Sequence, residues 1–382
     1  MPRRTLAALA AAVVLAVPAA AHAGTLKTIT IPARRGEIPQ KWLYHPGPAR
    51  ANVLLPTHYE PSKAYPLLLL LGGFTNDYAS WVKDGHADKL LAKLNAIVVM
   101  PEAGGGWYAD WFNNGARRDP AWESYYLDEV IPQISRRYRI RASRRYHAVV
   151  GVSMGGLGSA FVGGRLPGYF GTVGVISGFL DIEAMPGIAG AQAVLAGASD
   201  PEALYGPEGS FYEDGHNPTR LVANLAQSRI YVGVGDGTVS DRGTDYPNDA
   251  ESNAAKERAI LRPMTDYWIS AAQTAGLDVT FAPHHGVHDW PDFRYDLTNI
   301  VRWGLFKPVV ERATSWINDT VATHGKLWEF GYRFDTPPNV VVRFRRSGRQ
   351  LMVSEAGSKV TVTSGKCHVH VPTPATVKLP LC

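Results

Sequence analysis

The chain has 382 residues, 45% hydrophobic and 19% charged, a length that suits one large domain and a small one. Its formal net charge is +5, or +3 once Arg3 and Arg4 are discounted with the leader described next. Such a mild excess fits loose attraction to an anionic envelope and excludes a nucleic-acid-binding signature. No stretch after residue 23 reaches the ~18 apolar residues of a membrane span.

Arg3 and Arg4 precede an alanine-rich apolar run through Val17, and Ala21-His22-Ala23 has the small-x-small form of a signal-peptidase site. Residues 1–23 are therefore expected to be a signal peptide cleaved after Ala23. No cysteine follows that point directly, so a lipid anchor is not expected. The protein is expected to be secreted or held at the cell envelope.

From Thr28 to about Val310, short apolar runs alternate with longer helical patterns. The strand candidates are Thr28–Ile31, Ala51–Leu55, Pro66–Leu71, Ala96–Met100, Tyr146–Val152, Gly171–Ile176, Arg229–Gly235 and Asp278–Pro283. Helix-like segments separate them from the third onward, which predicts a mostly parallel sheet covered on both faces. One such segment is Asp119 to Arg137: Asp119 can cap, Pro120 suits the first turn, and Trp122, Tyr126, Val130 and Ile134 share a face. Pro132 should bend it.

Within Gly151-Val152-Ser153-Met154-Gly155-Gly156, a serine falls between the fifth strand and a segment rich in small residues. A hydroxyl is a poor nucleophile, so it must stand on a sharp turn where an imidazole and two N–H groups converge, and flanking glycines permit that bend. Eight strands with the nucleophile after the fifth is the order of an α/β-hydrolase sheet. In that order the base follows the last strand, where the chain reads His284-His285-Gly286-Val287-His288-Asp289-Trp290. We assign His288, with Gly286 giving the loop room and Trp290 packing beneath the ring. These histidines fall in a loop and not at i, i+4 on a helix, so no metal or other cofactor is expected. Asp236, Asp241 and Glu257 are all candidates for the acid. The oxyanion donors are expected to be the N–H groups of Met154 and of Phe74, the latter after Gly72-Gly73. Gly73, Trp107, Tyr108, Trp111 and Trp290 are expected to contact substrate, with Phe179, Met185 and Tyr205 also at the rim.

These motifs resemble the esterase D-like branch of the α/β-hydrolases, which includes the antigen 85 mycolyltransferases and tributyrin-esterase-like enzymes. Tyr65-Pro66 through Gly72-Gly73, Trp107-Tyr108-Ala109-Asp110-Trp111, Asn217-Pro218-Thr219 and Gly235-Asp236-Gly237-Thr238 carry the likeness, over roughly residues 50–305. The resemblance implies that the triad acid is Glu257, on the helix after the seventh strand, with Asp236 the alternative. It also implies that the acidic residue and arginine that contact trehalose in antigen 85 are replaced here by Gly72 and Thr75, and that Gly155 stands where those enzymes carry alanine.

Residues near Thr314 to Gly325 are expected to be a final helix and a linker, the catalytic domain spanning residues 24–315 and the linker 316–325. Beyond Lys326 the sequence turns to short alternating runs, such as Val340 to Phe344 and Lys359 to Thr363, predicting a small all-β domain. Cys367 and Cys382 are expected to pair, closing a loop of about 15 residues for ~3 kcal/mol. The functional expectation is a serine ester hydrolase acting on a small-molecule, lipid or glycan ester. The alternatives are an acyltransferase using a sugar or glycerol acceptor, and a non-catalytic protein that binds envelope polysaccharide.

Overall fold

The computed structural model describes residues 24–33, 38–240, 242 and 250–382. The expected signal peptide, residues 1–23, and Asp241 lie outside them. Eight strands form the main sheet: β1 (Thr25–Thr30), β2 (Arg50–Leu55), β3 (Leu67–Leu71), β4 (Ile97–Pro101), β5 (His147–Val152), β6 (Thr172–Ile176), β7 (Arg229–Gly235) and β8 (Val279–His284). Their spatial order is β1-β2-β4-β3-β5-β6-β7-β8. The pairs β1–β2 and β2–β4 are antiparallel; every pair from β4 to β8 is parallel. This is the α/β-hydrolase architecture expected.

Burial on both faces explains why the central strands read as unbroken apolar runs. In β3, Leu67, Leu69 and Leu71 enter one core, with Tyr125, Phe161 and Trp268, while Leu68 and Leu70 enter the other, with Trp81, Phe293 and Ile300. Parallel strands aligned this way bring their carboxyl ends to one edge, where each following loop can supply a functional group.

The expected helix from Asp119 begins later, at Trp122, because Arg118–Ala121 pairs with Asp110–Trp111 as a two-stranded ribbon. This helix, α1 (122–137), has a π-helical turn at Tyr125–Val130 just before Pro132. The wider turn accommodates a residue that has no N–H to donate.

The β-domain begins earlier than expected. β9 (Ser315–Thr320) and β10 (His324–Leu327) occupy the segment expected to be helix and linker. They join β11 (Phe330–Phe334), β12 (Val342–Ser347), β13 (Gln350–Val353), β14 (Lys359–Ser364), β15 (Cys367–Pro372) and β16 (Ala375–Lys378) in two four-stranded antiparallel sheets, β9-β12-β13-β16 and β10-β11-β14-β15. The sequence hides β9 because its buried positions include Asn318, Asp319 and Thr320. Those side chains face partners instead of hydrocarbon. Asn318 Nδ2 donates to Gly164 O at 2.7 Å, Asp319 N to Asn224 Oδ1 at 2.7 Å, and Arg343 clamps the Asp319 carboxylate with two bonds. The β-domain core is apolar, with Trp316, Phe330, Tyr332, Phe334 and Phe344 among its members. Cys367 and Cys382 are disulfide-bonded.

Candidate active site

Ser153 follows β5 directly and precedes helix α2 (Met154–Arg165). Its φ of 57° and ψ of −120° lie in a region that L-residues rarely occupy. The conformation is held by hydrogen bonds on both sides: Ser153 N donates to Ile176 O at 2.9 Å, and Ser153 O accepts from Gly156 N at 2.8 Å. The adjacent glycines are required by close approach. A Cβ on Gly151 would sit 1.8 Å from Gly155 O, and one on Gly155 would sit 2.5 Å from Gly72 O.

The loop after β8 carries His288 to this turn. His288 Nε2 is 2.9 Å from Ser153 Oγ, and His288 Nδ1 is 2.8 Å from Glu257 Oε2. Glu257 is fully buried. It opens a π-helical turn, Glu257–Leu261, between Ala250–Lys256 and Arg262–Thr274. Its other oxygen, Oε1, accepts from Ser177 Oγ at 2.6 Å and from Gly235 N at 2.8 Å. Four strand ends thus converge, β5 through Ser153, β6 through Ser177, β7 through Gly235 and β8 through His288. Glu257 has three donors around one carboxylate, which fixes both the side chain and the face it shows to the imidazole.

Asp236 is not part of this chain of bonds. Its Oδ2 is 2.7 Å from His285 Nδ1, and the Thr238 and His285 contacts outweigh slight burial to hold the carboxyl at about 2. Its place at the end of β7 made it attractive, but its side chain engages the exposed histidine.

On the oxyanion side, Met154 stands at the first position of α2, where N–H groups lack intrahelical partners and the dipole favours negative charge. A Cβ on Gly73 would lie 3.3 Å from Ser153 Cβ, so the Gly72–Phe74 loop passes beside the hydroxyl. Gly73 N is taken by Asn76 Oδ1 at 2.8 Å. Three further contacts hold the loop. Trp81 Nε1 donates to Leu71 O at 2.9 Å, Tyr108 OH to Gly72 O at 2.8 Å, and Thr75 N to Gly104 O at 3.2 Å.

Several aromatics expected at the substrate face elsewhere. Tyr108 is buried beneath the loop that it bonds, and Trp111 is buried against Trp42. Tyr205 is also buried. Trp107 is buried too, donates to Gln192 O, and stacks on Phe74 with centroids 5.7 Å apart. Trp290 packs edge-on against Trp81, and Phe293 is the ring that meets His288, at 5.0 Å. Large rings are worth most where they exclude water from a core, and four of these five are buried while Trp290 is half-buried. Phe74 and Phe179 are half-buried and remain beside the opening.

Sequence reasoning missed three supporting residues. Ser177 sits at the end of β6 with φ of 43°, Asn76 caps the oxyanion loop, and Asp292 Oδ2 accepts from Val287 N at 2.8 Å beside His288. Only the last had a signal, an acid four residues after the histidine at the start of helix α3 (Trp290–Trp303). Among the described residues, no group of three or more His, Cys, Asp or Glu is placed to hold a metal, and no helix is long and apolar enough to cross a membrane.

The profile of the Esterase family matches residues 45–303. An esterase of Mycobacterium tuberculosis is 33% identical over 155 residues, covering 37% of this chain and 32% of that protein. The diacylglycerol acyltransferase/mycolyltransferase Ag85A of Mycobacterium leprae is 26% identical over 154 residues, covering 38% of this chain and 46% of that protein. The chain thus spans between about a third and a half of these two relatives. The crystal structure of Mycobacterium tuberculosis MPT51 superposes with a TM-score of 0.55 at 20% identity, covering 74% of this chain and 98% of that one. That likeness concerns the fold.

Proposed function

The chain belongs to the Esterase family, and from that premise we propose that it is a secreted serine-dependent ester hydrolase working through an acyl intermediate on Ser153. The observation that carries this reading is the continuous bonded path from Ser153 Oγ through His288 to Glu257. Glu257 holds the proton on His288 Nδ1, so Nε2 presents a lone pair to the serine hydroxyl. As Oγ attacks the ester carbonyl, Nε2 takes its proton and the imidazolium is stabilised by the buried carboxylate. The carbonyl oxygen gains charge and is met by the Met154 and Phe74 N–H groups, each such donor contributing about 10²–10³ in rate. His288 then protonates the departing alcohol, leaving acyl-Ser153. In the second half the same ring draws a proton from water, and Ser153 is released.

Water is the assigned acceptor because Gly72 and Thr75 replace the charged residues that position a sugar in the resembling transferases. Phe74 and Phe179 border the acyl side, with Gly73 leaving room beside Ser153. Export is supported by the charged, apolar and small-residue pattern of residues 1–23 and by the disulfide. Residues 24 to about 312 form the proposed catalytic domain and the remainder the β-domain.

The test is p-nitrophenyl butyrate turnover by the wild type and by Ser153→Ala, with circular dichroism to establish folding. Several orders of magnitude should be lost. Equal rates in two folded proteins would refute a serine nucleophile.

A further inference from the structure

A cavity of about 920 Å³ lies between α1 and the outer face of the β10-β11-β14-β15 sheet, and its walls include neither Ser153 nor His288. We propose that this seam binds a short neutral oligosaccharide, a function independent of the esterase reading. The volume is at the upper end of the ~300–1,000 Å³ typical of small-molecule sites. Two independent domains build it. One wall carries Leu127, Ile131 and Pro132 of α1; the facing wall carries Thr361 and Thr363 of β14. Burial alternates along β14, with Val360 and Val362 turned into the sandwich, so both threonines point the opposite way.

The most buried part of the lining is polar. Glu123 and Arg165 pair within one wall, Arg165 Nε lying 2.5 Å from Glu123 Oε1, and Arg165 Nη1 reaches across the seam to Tyr332 OH at 3.1 Å. Burial raises Glu123, but Arg165 and His216 outweigh it and bring its carboxyl to about 2, so this pair is ionised and self-neutralising. His216 is 2% exposed. Its Nδ1 is 2.7 Å from Tyr212 O, while Nε2 makes no hydrogen bond among the described residues and lies 3.6 Å from Glu123 Oε2. A buried ring nitrogen that faces a carboxylate beyond hydrogen-bond distance is only partly compensated, and a ligand hydroxyl would supply the hydrogen bond it lacks. Asp110, also on the lining, is pushed up to about 7 by burial and by the Glu123 charge. Its two oxygens accept from Ser124 N at 2.9 Å and from Ser124 Oγ at 2.5 Å, which fixes the carboxyl in the wall.

These features select a sugar over an ion or a lipid. Arg165 has its counter-ion within the wall, and the lip mixes Asp128 with Lys326 and Arg333, so no single sign dominates. A fatty chain would need a continuous hydrocarbon tube, but here threonine hydroxyls, an imidazole and carboxyls interrupt the apolar surface. A pyranose offers the complement, with C–H faces for Leu127 and Ile131 and hydroxyls that donate and accept for the polar groups.

The experiment is calorimetric titration of the full chain carrying Ser153→Ala with xylotriose, cellotriose, maltotriose and chitotriose, and with myristate in parallel. At least one trisaccharide should bind in the micromolar to millimolar range. Thr361→Trp, which fills the cavity from the β-domain, should weaken that binding at least tenfold and leave p-nitrophenyl butyrate turnover unchanged in the otherwise wild-type chain. Leu127→Trp fills it from the opposite wall and serves if the first variant does not fold. The proposal is overturned if no trisaccharide binds, if binding survives both filled cavities, or if myristate alone occupies the seam. Loss of esterase activity in Ser153→Ala with sugar binding retained separates this site from the esterase reading; loss of both would overturn the proposal.

Discussion

Replacing Glu257 with Gln tests the proposed chemistry most sharply, because the structure dictates which way the amide must face. Oε1 of Glu257 accepts from Gly235 N and from Ser177 Oγ. Gln has only one acceptor oxygen, and turning its NH₂ group toward Gly235 would set two donors against each other in a buried place. An unsatisfied buried donor costs about 1–3 kcal/mol, so the carbonyl stays on the Gly235 side. The NH₂ then faces His288 Nδ1, which must accept, and the imidazole proton moves to Nε2, where it opposes Ser153 Oγ. The ring keeps its position and loses its function as a base. A tautomer error of this kind lowers kcat by about 10⁴ in serine enzymes, or about 5 kcal/mol in barrier. The assay is kcat for p-nitrophenyl butyrate with Glu257→Gln and Asp236→Asn side by side, each checked for an unchanged melting profile. Asp236→Asn should fall by less than threefold, since its carboxylate serves His285. A Glu257→Gln enzyme retaining more than a tenth of the wild-type rate, with Asp236→Asn collapsed, would refute the assignment.

Two further outcomes follow from the supporting shell. Asn76→Ala frees Gly73 N and loosens the loop that offers Phe74 N–H; kcat should fall about tenfold, equivalent to about 1.4 kcal/mol, with KM little changed. An unaltered kcat would mean that the loop is held without it. Asp110→Asn addresses pH. The folded carboxyl lies at about 7 against an ordinary 3.8, so the stability associated with its proton is fully present below about pH 4 and is lost as pH rises through 7. The variant does not titrate there, so the wild type should lose on the order of 2–4 kcal/mol relative to it between pH 4 and 8. Urea unfolding of both proteins across that range measures this, and a difference that stays constant with pH would contradict it.

Much of the catalytic arrangement was legible in one dimension because local rules govern it. β3 is apolar without interruption because both faces of the sheet are covered, and Gly151 and Gly155 announce a turn whose backbone has no space for a Cβ. Chain order then pointed to His288. The acid could not be read from local pattern. Asp236 and Glu257 both follow β7, and the distinction between them is a side-chain direction set by a π-helical turn and by the donors Ser177 and Gly235, which arrive from separate strands.

The burial of the aromatics near residue 107 could not be read from the chain for a related reason. A tryptophan or tyrosine pattern is the same whether the ring lines a mouth or supports a loop from below, and Tyr108 does the latter through Gly72 O. Likewise β9 carries no alternating hydrophobic signal, because Asn318 and Asp319 spend their polarity on Gly164, Asn224 and Arg343. The sequence by itself determined the strands of the main sheet, the turn at Ser153 and the histidine loop, each encoded by neighbours a few residues apart. Only the tertiary structure decided which carboxylate meets His288, what holds the Gly72–Phe74 loop and the seam between domains. Those depend on groups 20 to more than 150 positions apart, such as Arg165 and Tyr332, meeting where water has been removed.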